Sequence, residues 1–412
     1  MVINEKRALA YNTPIVWVKP IDGADNIELV GVLGWTCIAK KGEFQPGDTA
    51  IYFEIDSKLP VADWSAFMES KHYKVKTMKL GKFNVISQGL ALPIDTFDEE
   101  LRDKIVAAIS DDGGITCAMT DLTELLGVTY AVEEDNKRKA AVDPNAKYVS
   151  MKARHKKFFS NKMVKKLMKH EWFRKFIFIF LGKKKDNPKG WPVGKFPGVS
   201  KTDQERCENM PWVLSDKTPF VRTQKCDGSS GTFILERKPH GKFEFWVCSR
   251  NVRMLQQNQD CYYDKNYYWE VALKYDIENK MKQYLNKYPD MTFVCWQGEI
   301  CGPGIQKNPH HLTETHLFLF HWTDSRFGRL DIRDAAYSWI HDYDMEVVPI
   351  DDNEYILPDD FEEFKLSADG NYDPCVCEGN INCAREGYVY YKTTDSNFSF
   401  KNVSRNYLLK NI

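Results

Sequence analysis

Residues 220–235 read FVRTQKCDGSSGTFIL. Phe220 to Thr223 and Gly231 to Leu235 are rich in β-branched and aromatic residues, which favour strands. Between them lies Lys225-Cys226-Asp227-Gly228, where a glycine lets the chain turn sharply beside a bound group. A lysine becomes a nucleophile when burial and nearby cations lower its pKa. Taken alone, such a turn is equally the tip of a surface hairpin in a chain of 412 residues. The surrounding sequence has to separate the two.

Downstream, Phe243 to Cys248, Thr292 to Trp296, His316 to Trp322 and Tyr388 to Lys392 are strand-like, whereas Tyr267 to Tyr288 has helical period. That mixture predicts an α+β domain with antiparallel sheets over residues 190–412. Upstream, residues 1–97 alternate short strands with turns. Ile15 to Val18, Ile27 to Ala39 and Thr49 to Ile55 are separated by Asp22-Gly23-Ala24-Asp25, Lys41-Gly42 and Pro46-Gly47-Asp48. A further extended stretch, Tyr73 to Leu92, carries Lys74, Lys76, Lys79 and Lys82. This spacing predicts a small closed β-barrel of the OB type, with an SH3-like barrel giving nearly the same pattern.

Residues 98–189 read as a connector. Its second half, Lys152 to Lys189, holds fourteen Lys and Arg against two acids, with Phe158, Phe159, Met163, Leu167, Trp172, Phe173 and Phe176 interleaved at helical spacing. One reading is a solvated amphipathic helix whose aromatic stripe caps a core. The other is a nucleic-acid-facing arm in which Lys156, Lys157, Lys165, Lys166 and Lys169 neutralise phosphates. The apolar run Phe176 to Leu181 is too short to span a bilayer and is expected to be a packed helix, a peripheral membrane contact being the alternative.

Net charge is −1, so no global basic field marks the chain as a nucleic-acid binder. Eleven cysteines without dense spacing, and an N-terminus lacking the apolar core of a signal peptide, predict reduced thiols and an intracellular, by default cytoplasmic, protein. Cys375, Cys377 and Cys383 lack a clean fourth ligand for structural zinc. His310, His311 and His316 lack the spacing of a helical metal pair and read as surface residues.

The turn at Lys225 is followed in order by Ser249-Arg250-Asn251, Gln297-Gly298-Glu299, Phe318-Leu319-Phe320, Arg385-Glu386-Gly387-Tyr388 and Phe400-Lys401. The series resembles the motifs of the covalent nucleotidyltransferases, the superfamily of DNA ligases, RNA ligases and mRNA-capping enzymes. Six matches in order are far more specific than one. Within the superfamily, Pro20 to Asp25, Leu33-Gly34-Trp35, Lys40 to Phe44, Tyr52 to Asp56, Ile86 to Leu90, Phe196-Pro197, Lys201 to Arg206 and Val403 to Leu409 resemble the Naegleria-type RNA ligases. That resemblance implies an N-terminal OB domain, a nucleotidyltransferase domain with an ATP-grasp-like antiparallel sheet, and no OB domain behind it. Only eleven residues follow Lys401, too few for a barrel.

The resemblance also implies roles. Lys225 attacks the α-phosphate of ATP, and Lys401 holds that phosphate and makes Lys225 less basic. Glu299 binds a ribose hydroxyl, Arg250 lies near the sugar or the incoming 5′-phosphate, Phe320 stacks on adenine, and Arg206 and Gly228 border the nucleotide. Asp227, Glu299 and Glu386 orient the waters of Mg2+ or Mn2+. Implied partners are RNA, including nicked duplexes with RNA or DNA; the expected state is a monomer with no integral membrane segment. Several positions depart from the pattern. Gln224 stands where a glutamate would read the adenine amino group, although a glutamine carbonyl can accept the same bond. Glu208 replaces a glutamine, His321 an Asp or Asn, and Ser399 leaves the last motif one lysine short, with Lys392 or Lys410 as substitutes. The alternatives are a DNA ligase, a capping-type guanylyltransferase, or an inactive OB-type RNA-binding protein.

Overall fold

The computed structural model describes residues 1–3, 6–111, 119–131, 156–168, 170, 173, 177, 199–250, 253–254, 266–378 and 383–410. No helix among the described residues is long and apolar enough to cross a membrane.

The amino-terminal barrel is built from β1 (Ala10–Pro20), β2 (Ile27–Val32), β3 (Trp35–Lys40), β4 (Thr49–Phe53) and β5 (Leu90–Pro93). β1 pairs with β4 through Ala10–Pro14, then with β2 from Ile15 onward. A register shift between Ile15 and Trp17 bends the strand so that it serves both sides. β5 pairs with β4, and the Gln88 amide closes the ring on the Thr36 carbonyl at 2.8 Å. The resulting circuit, β1-β2-β3-β5-β4, is the OB barrel and not the SH3-like one. Tyr11, Val30, Val32, Trp35, Cys37 and Tyr52 fill it. The stretch Ile27 to Ala39 is a hairpin, turned at Leu33 and Gly34. The helix Glu99–Asp111 packs Ile105 and Ile109 onto Leu9, Phe53 and Trp64 on the outside of the barrel.

The carboxy-terminal part has two five-stranded sheets. The first runs β6 (Glu205–Arg206), β15 (Asp395–Val403), β14 (Gly387–Lys392), β7 (Phe220–Gln224), β13 (Ile350–Tyr355). The second runs β9 (Phe243–Ser249), β8 (Ser229–Arg237), β10 (Phe293–Cys301), β11 (His316–Asp324), β12 (Gly328–Arg329). All pairings are antiparallel except β6 with β15. Val389 and Tyr391 of one sheet and Phe233, Leu235, Trp296 and Trp322 of the other share a core with Trp339, Met281 and Leu285 from the covering helices. The helical stretch from Tyr267 breaks into two helices at Asp276, where φ is 51°.

β7 and β8 lie in different sheets, so the turn at Lys225 is a crossing between sheets and no hairpin tip. Gly228 is required there for closeness: a Cβ would meet the Ile300 carbonyl oxygen at 2.3 Å and Cys301 Sγ at 2.8 Å.

The two parts are joined through buried Asn209. Its Oδ1 accepts from Trp35 Nε1 at 2.6 Å and Tyr11 OH at 3.3 Å, and its Nδ2 donates to Glu54 Oε1 at 2.9 Å. Of the connector lysines, Lys166 is exposed on the helix Lys162–Leu167. Lys169 and the side chains of Lys156, Lys157 and Lys165 lie outside the described residues. So does most of Phe176 to Leu181, while Ile177 is buried against Phe159, Val164 and Met168.

Candidate active site

A cavity of about 370 Å3 is lined by residues of both sheets, with Arg7, Asp56 and Tyr130 contributing from the barrel side. Every candidate nucleotide-site residue outside the connector lines it: Arg206, Gln224, Lys225, Asp227, Gly228, Arg250, Glu299, Phe320, Glu386 and Lys401. They arrive from several strands and strand ends of both sheets, which explains their wide spacing in the sequence.

Lys225 is pinned first by its backbone. Its amide donates to the Gly387 carbonyl at 3.0 Å, and its own carbonyl accepts from Tyr372 OH at 3.0 Å. The same hydroxyl accepts from the Glu386 amide at 3.2 Å, so one tyrosine fixes both residues. Lys225 Nζ then donates to Glu386 Oε2 at 2.8 Å. Burial alone would depress this ammonium, but Glu386, Glu299 and Asp227 outweigh it and hold Lys225 above the ordinary lysine range.

Whatever Lys401 takes from the basicity of Lys225, the neighbouring carboxylates outweigh it. The depressed lysine is Lys401. Burial, Arg206 and Lys225 bring it down to about 7. Arg206 sits opposite it in the parallel β6–β15 pairing, which explains the repulsion.

The carboxylates repel one another as well. Burial pushes Glu299 up to about 8 against the pull of Lys225, with Glu386 and Asp227 adding to the rise. Burial and Glu386 raise Asp227 to about 6, although the Tyr407 hydroxyl donates to its Oδ2. Glu299 Oε1 accepts from the Gly228 amide at 3.2 Å. The cavity thus has an anion-crowded wall around Lys225 and a cationic wall of Arg206, Lys401 and Arg250. Arg250 is half-exposed and paired with Asp203.

Gln224 is buried, and its carboxamide is already engaged. Nε2 donates to Asp351 Oδ1 at 2.8 Å, and Oε1 accepts from the Asp373 amide at 2.8 Å. Lys392 does not line this cavity and pairs with Asp216 at 2.6 Å; the side chain of Lys410 lies outside the described residues. Glu208 does not line the cavity either: it forms a buried ion pair with Lys365. His321 is buried, with Nδ1 against Gln297 Oε1 at 3.3 Å.

Sequence reasoning placed three features wrongly. His310 is fully buried: its Nε2 accepts from the Asp227 amide at 3.1 Å, so Nδ1 carries the proton and donates to the Val376 carbonyl at 2.9 Å. Burial brings its pKa down to about 4, which keeps the ring neutral. His316 is half-buried against Glu346 at 2.9 Å. Cys377 and Cys383 are joined as a disulfide, not reduced. Arg7, Asp56 and Tyr130, which line the cavity from the barrel side, were missed. They lie too far away in the chain for any local pattern to reveal them.

An OB-fold domain model matches residues 9–94, and an RNA ligase model matches residues 218–407. No curated protein sequence matches. Solved structures of Naegleria gruberi RNA ligase match almost end to end. A form with pyrophosphate is 28% identical with a TM-score of 0.68, covering 98% of this chain and 99% of that one. One mutant with ATP and Mn is 28% identical with a TM-score of 0.69 and the same coverage. A second mutant with ATP and Mn is 26% identical with a TM-score of 0.67, covering 98% of each chain. With an OB barrel in front and the lysine cavity in the matched segment, residues 218–407 form an RNA ligase domain, and the whole chain is similar in arrangement to the Naegleria gruberi enzyme.

Proposed function

We propose that the protein is an ATP-dependent RNA ligase that joins 3′-hydroxyl and 5′-phosphate ends at nicks in duplexes. The observation that carries the proposal is Lys225 held at 2.8 Å from Glu386 in a cavity that Arg206, Arg250 and Lys401 also line. Lys225 Nζ attacks the α-phosphorus of ATP; an N–P bond forms, the bond to the β-phosphate oxygen breaks, and pyrophosphate leaves. A 5′-phosphate oxygen then takes the AMP and frees the lysine. A 3′-hydroxyl oxygen attacks the 5′-phosphorus and AMP departs.

Lys225 enters this sequence protonated, with Glu386 Oε2 in hydrogen-bond contact as the first proton acceptor. Lys401 and Arg206 face the developing phosphate charge, and Phe320 offers a ring face to the base. Three oxygen donors, Asp227, Glu299 and Glu386, crowd one lysine, and two of them are pushed above their ordinary pKa. That excess of carboxylate fits a hard divalent cation such as Mg2+ or Mn2+. Asp227, Glu299 and Glu386 would hold that cation through its waters. When bound, the cation supplies positive charge that offsets carboxylates and phosphates alike.

Incubation with labelled ATP and, separately, GTP tests the base; only ATP is expected to label the protein. Sealing of nicked duplexes with RNA or DNA on each side of the break tests the substrate. Efficient sealing of all-DNA nicks would move the assignment to a DNA ligase.

Binding of unreactive AMP isolates Lys401. With its pKa near 7, Lys401 is cationic below that pH and neutral above it in the free protein, whereas a bound phosphate favours the cation. AMP affinity is therefore expected to fall by up to about tenfold per pH unit above pH 7. Lys401→Arg stays charged and should remove that part of the decline, leaving a fall near pH 8 as Glu299 ionises. Calorimetric titration checks this; an unchanged profile in Lys401→Arg rules Lys401 out as the phosphate contact.

A further inference from the structure

Between β4 and β5 the barrel carries a basic segment. Residues 71–82 contain five lysines and a histidine, and no Asp or Glu occurs from Ser70 to Ile94. In a chain whose net charge is −1 this imbalance is local. Val75 and Thr77 point into the protein, while Lys71, Lys76, Lys79 and Lys82 are exposed. Lys79 and Lys82 sit on a hairpin, Met78–Leu80 paired with Val85–Ser87, where Lys82 Nζ lies 4.9 Å from the Phe83 ring centroid. Lys76, Lys79 and Lys82 have no carboxylate partner among the described residues.

This segment is bonded to the rim of the active site. The amide of Asp56, which lines the cavity, donates to the Val75 carbonyl at 2.9 Å. The Val75 amide donates back to the Ser57 carbonyl at 2.9 Å, and the Leu59 amide donates to the Tyr73 carbonyl at 2.9 Å. Ser57 in turn pairs with Tyr130, a second cavity residue. The basic segment is therefore tied by its backbone to Asp56 and, through Ser57, to Tyr130, two residues that line the cavity.

We propose that Lys71, Lys76, Lys79 and Lys82 form a clamp for the phosphate backbone of the nicked RNA duplex beyond the joining site. The clamp deepens the ligase reading and rests on it. Exposed lysines gain from phosphate contact through counterion release, without reading sequence. In OB barrels generally, the loop joining the fourth and fifth strands is one that can carry oligonucleotides. Here its charge and its attachment to Asp56 point the same way.

The test compares the full-length protein with a variant carrying Lys71→Gln, Lys76→Gln, Lys79→Gln and Lys82→Gln. Binding of a nicked RNA duplex is followed by fluorescence anisotropy across a decade of salt. Each phosphate contact carries a slope of about 0.7–0.9 log unit per decade, so the variant, four contacts short, is expected to lose about 3–3.5 units of slope. At low salt its affinity should be weaker by about tenfold or more. The same four positions as arginine should keep the parent's slope. A parental slope in the glutamine variant, or an arginine variant that falls with it, overturns the clamp. Labelling of the parent with ATP reports on the ligase reading separately: a parent that never labels, yet shows the predicted slopes, loses its assigned chemistry while the surface stands.

Discussion

Lys225→Ala is expected to lose AMP attachment and nick sealing together, by more than about 10⁴-fold, while keeping its fold. A covalent route fails wholly when its nucleophile is gone, and losses of this order or larger follow such deletions in other enzymes. The fold should survive because Lys225 sits at a cavity wall with its side chain 24% exposed. Removing it leaves Glu386 facing a space of about 370 Å3 in which water can replace the lost bond. Loss of one partly exposed ion pair costs on the order of 1 kcal/mol, about one degree of Tm for a protein of this size. The measurement is labelling with ATP followed by gel separation, beside a thermal melt. A Lys225→Ala protein that still forms an acid-labile, alkali-stable AMP adduct would place the nucleophile elsewhere.

The strands that carry this site were legible because their side chains obey simple rules. Phe220 to Thr223 and Gly231 to Leu235 are β-branched and aromatic, and both are strands in the structure. The order of the motifs was legible too, since each lies on a strand or beside one. The electrostatics were not. Whether Lys225 or Lys401 is the depressed lysine depends on how many carboxylates converge, and Glu299 and Glu386 are 74 and 161 positions from Lys225. No local pattern encodes that meeting. His310 shows the same limit from the other side. A histidine in a polar loop resembles a surface residue until Tyr372, packed with its ring centroid 4.3 Å away, closes over it.

The barrel divides similarly. Its strands and turns could be read, but choosing between OB and SH3-like circuits needed the pairings of β1 with both β2 and β4. The bulge that permits both is a register effect, invisible to composition. Attachment of the barrel to the catalytic part was equally hidden. It depends on Asn209 bonded to Trp35, 174 positions away, and on the Gly34 amide bonded to the distant Glu208 carbonyl at 2.8 Å.

Beneath that attachment lies the largest expected stability effect. Glu208 and Lys365 form an ion pair in which both side chains are 0% exposed. Burial works against the Glu208 carboxylate, yet Lys365 and Arg206 hold it below its ordinary pKa. Lys365→Met removes the main compensating charge and leaves a carboxylate beside the apolar cluster of Cys207, Phe361 and Phe364. Breaking a buried pair from one side costs about 3–5 kcal/mol, whereas replacing both partners by neutral groups is near neutral. Lys365→Met should therefore lose about 3–5 kcal/mol in guanidinium unfolding, and the double variant Glu208→Gln, Lys365→Met should recover most of it. The loss should also loosen the barrel. Gly34 packs against this place so closely that a Cβ would meet the Phe361 ring at 2.4 Å and Glu208 Cα at 2.9 Å. Limited proteolysis should accordingly separate the barrel from the catalytic part faster in the single variant than in the double. A double variant as unstable as the single would show that packing around Lys365, and not its charge, is what matters there. The glutamate that stands where its relatives' pattern expects glutamine would then need another reason.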